Sequence, residues 1–366
     1  MKQQLRWRQG WAITKIELRR AFFSRRIFGI YLLALFPSLI FFLYGLNLRL
    51  DVRTFDAMGR ITPAQMDAIQ KGETIDAVLA RLGKSPKGFE WSTPPGRDGQ
   101  SDGTTAAPVK HHSLRYFDGK RQAFLLFQDD VLTTKQISLL VDFEETRQVF
   151  AGIFQFYYLR LAIFFGCLGI FMNLFRGEML DKTLHFWFLA PARREVLLTG
   201  KYAAGLIVST MIFVIGALLA FAVMMWTHGS MEAQTYWREA GVSHAFWYAA
   251  AAVFGCISYG SIFLAAGLLL RNPIIPAAVL LAWEGISSFL PEIMQKASIL
   301  HYLQSLCPVT APFDSDVPAL LRMLLAPASP ASHTGAIFGM LVITALMLWI
   351  ACKAIRRMQI SYGSES

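Results

Sequence analysis

The chain alternates between long apolar blocks and shorter polar segments. Each apolar block has roughly the 20 residues that a helix needs to cross about 30 Å of hydrocarbon. Strand-like alternation does not occur in these blocks, and within a membrane only helices or closed barrels satisfy the backbone polar groups. The pattern predicts an all-α polytopic membrane protein with six transmembrane helices. The predicted spans cover residues 27–48, 151–175, 202–226, 247–270, 274–291 and 335–353.

The charge distribution predicts which side of the membrane each segment faces. Only 16% of the residues are charged, against about a quarter in a soluble domain. The net charge is +10, and Lys and Arg collect before the first span, after the second, after the fourth and after the sixth. By the positive-inside rule these segments are cytoplasmic. This predicts a plasma (inner) membrane protein with both termini inside, and it explains the basic charge without a nucleic-acid partner.

The polar ends of the chain are predicted to lie on the cytoplasmic face. In residues 1–26, apolar side chains such as Trp11 and Ile16 alternate with basic ones such as Arg19. This pattern favours an amphipathic helix whose basic side meets anionic headgroups, although a plain basic flank would also explain the charge. Residues 354–366 form the predicted cytoplasmic tail.

A polar segment, residues 49–150, is long enough for a small extracytoplasmic α+β domain. Residues Thr62–Gln65 match a capping box, and a second helix is predicted from Thr74 to Leu82. Asp118–Gly119 lies between two apolar runs and predicts a β-hairpin. Asp142 is predicted to start a helix that continues into the second span.

The segment between the fifth and sixth spans, residues 292–333, contains apolar stretches that are too short to cross a bilayer. Prolines interrupt them. We expect short external re-entrant helices here, because irregular backbone at membrane depth is tolerated where protein covers it.

The sequence contains no recognisable catalytic constellation. Gly200–Lys201 is followed by Tyr202, so the chain lacks the Ser or Thr that completes a nucleotide-binding P-loop. The four cysteines do not have metal-site spacing. We therefore expect no catalytic residues, no metal site and no cofactor bound by this chain.

Two charged residues within the predicted spans are candidates for a transport pathway. Glu284 lies near the middle of the fifth span, and Arg160 lies towards the outer end of the second. A charge at membrane depth is costly and is often functional. However, Glu284 could equally pair with a polar group on another helix, while Arg160 could pair with it or extend outward to the interface.

The cytoplasmic loop 176–201 carries an ordered series of residues that resembles the first cytoplasmic loop of ABC-2 type permeases, the membrane subunits of a class of ABC exporters. The series has an acidic residue, a Thr-Leu step, a proline with nearby arginines and a Gly-Lys pair that opens the third span. Lys182 stands where the family usually has glycine. The residues that carry the resemblance are Glu178, Lys182, Thr183, Leu184, Pro191, Arg193, Arg194, Glu195, Gly200 and Lys201.

The resemblance implies that this loop forms a coupling helix, which docks on a separate ABC-type ATP-binding subunit. That subunit would hold ATP and Mg, so the chain itself would be a transport subunit rather than an enzyme. A second permease copy or a related permease would complete the pathway in the lipid bilayer, and residues 1–26 would be the family's connecting helix. The predicted coupling residues are Glu178, Lys182, Thr183, Leu184, Phe186, Trp187, Pro191, Arg193, Arg194 and Glu195.

Two other functions fit parts of the pattern. One is a membrane sensor or scaffold whose extracytoplasmic domain binds a ligand. The other is a lipid-modifying membrane enzyme, which would need catalytic side chains converging at one membrane level.

Overall fold

A computed structural model describes residues 2–22, 27–58, 60–85, 87–93, 109–139, 142–180, 193–228, 230–270, 274–287, 290–309 and 330–357. The chain divides into two compact units. Leu43–Thr146 forms the smaller one, while Met1–Phe42 and Arg147–Ser366 together form the larger, helical one.

The first two helices are α1, Lys2–Phe22, and α2, Ile27–Met58. The apolar part of α2 begins where the first span was predicted, but the helix continues past residue 48. The last turns carry polar residues. The helix can continue through them because it satisfies its own backbone hydrogen bonds whether lipid or water surrounds it.

The smaller unit contains two short helices and a four-stranded antiparallel sheet in the order β1-β2-β3-β4. Its elements are α3, Pro63–Asp67, α4, Ile75–Leu82, β1, Lys87–Thr93, β2, Val109–Phe117, β3, Arg121–Gln128, and β4, Val131–Leu139. One face of the sheet contributes Leu114, Leu125 and Phe127 to a core with Met66 and Val78 of the two helices. The unit is therefore a small α+β fold.

Local sequence signals account for this unit. The Thr62 side chain accepts from the Gln65 backbone, and the Gln65 side chain accepts from the Thr62 backbone, which confirms the capping box. The predicted second helix is confirmed as α4, with Thr74 as N-cap and Gly83 as C-cap. The Asp118–Gly119 hairpin is confirmed by the pairing of β2 with β3.

The chain enters the next apolar block through α5, Phe143–Gly152. The backbone of Glu144 donates to the Asp142 carboxylate at 2.9 Å, so Asp142 starts the helix as expected. A π-helical stretch, Ile153–Ala162, then leads into α6, Ile163–Phe171, and α7, Asn173–Leu180. Widened turns of this kind are rare and occur often at functional sites.

The remaining helices complete the larger unit. They are α8, Arg194–Trp226, α9, Ser230–Tyr236, a π-helical turn, Trp237–Gly241, α10, Val242–Leu269, α11, Ile274–Ser287, α12, Glu292–Gln295, α13, Ile299–Leu306, and α14, His333–Arg357. The helix α8 begins before the third predicted span, so the end of the predicted loop 176–201 is already helical from Arg194 onwards.

Five helical segments in the described part of the chain are long and apolar enough to cross a membrane. The fifth predicted span, residues 274–291, corresponds to α11, which has 14 residues and is about 21 Å long at 1.5 Å per residue. That length falls short of a typical hydrocarbon core of about 30 Å. The fold is thus that of a polytopic membrane protein, with five such spans among the described residues. The five segments are Ile27–Phe55, Phe143–Phe175, Arg194–Trp226, Glu232–Leu269 and His333–Arg357.

Close helix packing depends on small residues in the larger unit. A Cβ atom placed on Gly216 of α8 would lie 2.7 Å from the carbonyl oxygen of Ala34 and 2.6 Å from the hydroxyl of Tyr158. The Tyr158 hydroxyl donates to the Phe213 carbonyl at 2.5 Å. Helices approach this closely in membranes because small residues allow backbone contact.

Candidate functional site

Most of the predicted coupling residues cannot be placed. Glu178 belongs to α7, but its side chain is not among those described. The following predicted coupling residues lie outside the described part of the chain: Lys182, Thr183, Leu184, Phe186, Trp187 and Pro191. Their role therefore stays a prediction.

The three described coupling residues lie at the start of α8, and two of them, Arg194 and Glu195, contact the end of the last helix. Arg193 is the N-cap of α8, with an extended backbone. The Arg194 guanidinium donates to the carbonyl oxygens of Ile355 and Arg356 at 3.3 and 3.2 Å. Glu195 pairs with the Arg356 guanidinium at 2.5 Å. A cation beside the last carbonyls of a helix stabilises that helix end. Arg194 and the ion pair of Glu195 with Arg356 therefore join α8 to α14.

The Gly200–Lys201 pair lies within α8, where α1 packs against it. The Thr14 hydroxyl donates to the Gly200 carbonyl at 3.0 Å. A Cβ atom on Gly200 would lie 3.1 Å from both the Gly10 carbonyl oxygen and the Ile13 Cβ. Glycine at this position therefore allows the two helices to come together.

Lys201 is fully buried and joins three segments. Its ammonium donates to the Glu17 carboxylate of α1 at 2.5 Å and to the Leu174 carbonyl of α7 at 3.0 Å. The same ammonium lies 5.4 Å from the centre of the Phe175 ring. Glu17 is also buried, so the positive charge is balanced by a carboxylate and by a ring face.

The sequence alone does not reveal this ion pair. Lys201 belongs to the pattern that resembles the family, and Glu17 lies in the segment 1–26 that is predicted to be amphipathic. The available signal was a lysine at the edge of an apolar block together with a lone carboxylate among the N-terminal arginines. A charge in such a position needs a partner when it is buried.

Glu284 is 1% exposed and caps the short helix α13. Its carboxylate accepts from the Ser298 hydroxyl and from the backbone amides of Ile299 and Leu300 at 3.1 and 3.2 Å. Arg160 lies near enough for its charge to act on this carboxylate. The first turn of a helix leaves backbone amides without helical partners, and a carboxylate satisfies them well. Glu284 thus pairs with polar groups of another helix, which was one of the two possibilities raised by the sequence. Its role in a transport pathway stays a prediction.

The other end of α13 is also held by polar contacts. The Gln155 side chain, in the π-helical stretch, donates to the Val309 carbonyl at 2.7 Å. The backbone of Ala331 donates to the Ser305 hydroxyl at 3.1 Å. Gln155 was not among the predicted site residues, although an amide inside an apolar block is a visible signal. The short helix is therefore fixed to its surroundings at both ends.

The described residues contain no group of three or more His, Cys, Asp or Glu side chains that could hold a metal ion. Cys167 and Cys256 are buried free thiols, and Cys307 and Cys352 are partly buried free thiols. The polar contacts described above join helices to one another.

Comparison with known families identifies the chain. Residues 11–358 match the family model of the ABC-2 family transporter protein. No significant match was found among curated proteins or among solved structures. The match extends over nearly the whole chain and confirms the resemblance seen in the loop after the second span. The chain therefore belongs to the ABC-2 transporter family and is a multi-pass membrane permease of that type.

Proposed function

We propose that this permease forms half of an export pathway and is driven by a separate ABC-type ATP-binding subunit. The family match over residues 11–358 carries the proposal. A second permease, either another copy or a related chain, would supply the other half of the pathway in the bilayer.

The environment of Lys201 supports assigning ATP and Mg to the partner. In a P-loop, the lysine follows a glycine-rich turn and reaches the phosphates. Here Gly200 and Lys201 lie inside α8, and the lysine is buried against Glu17. Such a lysine is already neutralised and has no open space for a triphosphate.

The coupling role of residues 176–201 follows from the resemblance and from surface chemistry. Phe186 and Trp187 are large apolar side chains of the kind that anchor interfaces, and Arg193 and Arg194 would supply polar contacts to the partner. ATP-driven closure of the partner would push on this loop, and the helices would switch between inward-open and outward-open states.

The orientation follows from the distribution of Lys and Arg. It places residues 1–26, the loop 176–201 and the C-terminal tail on the cytoplasmic side of the plasma (inner) membrane. This arrangement needs an even number of crossings, so the predicted span 274–291 would be the sixth crossing although α11 itself is short, and the smaller α+β unit would lie outside.

Co-purification tests the proposed function. The tagged permease is expressed with the ABC-type ATP-binding subunit encoded nearest to its gene, and the yield of that subunit is measured after purification. We expect Phe186→Ala together with Trp187→Ala to lower the yield at least tenfold, because hot-spot truncations cost about 2 kcal/mol or more. Phe338→Ala, an exposed phenylalanine on the apolar helix α14, is the matched control. Equal yields from the wild type and the double variant would contradict the docking role.

A further inference from the structure

The buried pair of Glu17 and Lys201 lies at the base of the loop that is proposed to dock the ATP-binding subunit. The two legs of that loop are α7, which ends at Leu180, and α8, which begins at Arg194. Lys201 belongs to the leg α8 and contacts the leg α7 at Leu174, about two helical turns from the end of each leg. A displacement of either leg would therefore act on the pair, through Lys201 on α8 or through Leu174 on α7.

We propose that Glu17 and Lys201 form a clamp that makes α1 move together with the two legs of the loop. The clamp consists of these two side chains, with the Leu174 carbonyl as the contact to α7. The proposal rests on the proposed function, in which the loop receives the push of ATP-driven closure. Glu17 and Lys201 are positioning residues, since they act through the helices that they hold together.

Electrostatics explains why the three segments would move as one. Lys201 is 0% exposed and the Glu17 side chain 5% exposed, so water does not screen the two charges. Separating the pair would leave an uncompensated charge in a low-dielectric site, which is strongly unfavourable. Sliding is resisted as well, because α1 and α8 pack so closely at Gly200 that a Cβ atom there would lie 3.1 Å from the Gly10 carbonyl oxygen.

The clamp also explains why this lysine and this glycine are adjacent. Gly200 lets α1 approach, and the next residue on α8 then reaches Glu17 across the contact. The opposite face of α1 carries the exposed Trp11 and Ile16, together with exposed basic residues. A displacement of α1 would therefore move its exposed side chains at the membrane surface. It would also move the start of the first span, which follows α1 in the chain.

The test replaces both charges with side chains of similar volume. The variant Glu17→Met with Lys201→Met removes the ion pair without leaving either charge alone, and such replacements are often neutral for stability. Wild type and variant are reconstituted in nanodiscs with the ATP-binding subunit that co-purifies with the wild type. Hydrogen exchange of α1 is compared with and without ATP and vanadate.

We expect the variant to retain the ATP-binding subunit at the wild-type level but to lose the ATP-dependent change in exchange of α1. The two legs of the loop, α7 and α8, should keep their own ATP-dependent change in hydrogen exchange. Exchanging the charges, Glu17→Lys with Lys201→Glu, should restore part of the response. The matched control is Glu73→Met with Arg81→Met, an exposed ion pair in the smaller unit, which should respond as the wild type does.

Three outcomes overturn the inference. An unchanged α1 response in the double methionine variant would show that the ion pair is not needed. If that variant does not accumulate in membranes, Glu17→Gln replaces it, and an unchanged response there has the same meaning. If the wild type itself binds no ATP-binding subunit, the proposed function fails, and the clamp fails with it.

Discussion

The Glu284 carboxylate accepts a hydrogen bond from the hydroxyl of Ser298, the N-cap residue of α13. This contact links two helices that are both too short to span a bilayer by themselves. The same carboxylate accepts hydrogen bonds from two backbone amides at the start of α13. These amides have no carbonyl partner in a preceding helical turn, and the carboxylate takes that role. A charged residue that looks like a transport site from the sequence thus serves as a helix cap.

The first prediction separates capping from a pathway role. Ser298→Ala removes one donor to Glu284 and leaves the carboxylate in place. We expect Ser298→Ala and Glu284→Gln to raise hydrogen exchange in α13 together, because each weakens the same cap by about 1 kcal/mol or more. Exchange in α13 is measured by mass spectrometry on the purified chain in nanodiscs.

Thr199→Ala serves as the control for this experiment, since its hydroxyl only contacts carbonyls of its own helix. It should leave α13 unchanged. If Glu284→Gln altered ATP-driven transport while Ser298→Ala altered neither transport nor exchange, the carboxylate would act on the pathway and not as a cap.

Much of the fold could be predicted because it depends on local signals. The span starts at Ile27 and Ile274 follow from where apolar blocks begin. The elements around Thr62 and Asp118 follow from capping and turn chemistry, which requires only neighbouring residues. The length of α11 could not be predicted, because hydropathy does not show where a helix inside an apolar block ends.

The candidate site was harder to predict, because its contacts join residues far apart in the chain. Glu17 and Lys201 are separated by 184 positions, and Gln155 and Val309 by 154. Each partner alone suggests only a charged or polar residue beside an apolar block. The pairing depends on which helices pack together, and a single sequence does not contain that information.

The second prediction concerns the contact at Gly216. Its Cβ atom would meet the Ala34 backbone, which cannot rotate away, so Gly216→Ala must push α8 from α2. We expect a loss of about 2 kcal/mol, as for overpacked cores, and a lower melting temperature in detergent. Melting is followed by size-exclusion chromatography of heated samples.

Gly29→Ala is the matched control for the Gly216 variant. Gly29 lies in α2, and nothing lies within 4 Å of a Cβ atom built on it. Because alanine favours a helix over glycine by up to about 1 kcal/mol, this variant should melt at the wild-type temperature or slightly above it. Equal melting temperatures for Gly216→Ala and Gly29→Ala would contradict the close packing at Gly216.

The third prediction distinguishes two contacts between α8 and α14. The pair of Glu195 and Arg356 is exposed, so Glu195→Gln should cost less than about 1 kcal/mol. Arg194 holds two carbonyl oxygens at the end of α14, and Arg194→Met should raise hydrogen exchange there more strongly. At about 1 M salt, where the Debye length is about 3 Å, the effect of Glu195→Gln should largely disappear. Equal effects at low and high salt would show that Glu195 does not act through its charge.

The fourth prediction concerns acid stability of the smaller unit. Asp118 accepts from the backbones of Lys120 and Arg121 at 2.9 and 2.6 Å and from the Arg121 side chain at 2.8 Å. Burial alone would raise the pKa of Asp118, but these hydrogen bonds and the Arg121 charge outweigh it, so the pKa is lowered from 3.8. The folded unit therefore favours the ionised carboxylate.

A lowered pKa means that ionised Asp118 stabilises the fold above the pKa of the unfolded chain, near 4, and that this stabilisation is lost as the pH falls through the folded-state pKa. After incubation at pH 7 to 2, the full-length chain is labelled by a brief hydrogen-exchange pulse at one fixed pH. Strands β2 and β3 should become less protected below about pH 4 in the wild type. Asp118→Ala should already show weaker protection at pH 7 and a smaller further loss on acidification, because the carboxylate that must be protonated is gone. The control Asp76→Asn removes an exposed carboxylate of α4 and should show the same pH dependence as the wild type. If Asp118→Ala also showed the wild-type pH dependence, the turn at Asp118 would not depend on the charge of this carboxylate.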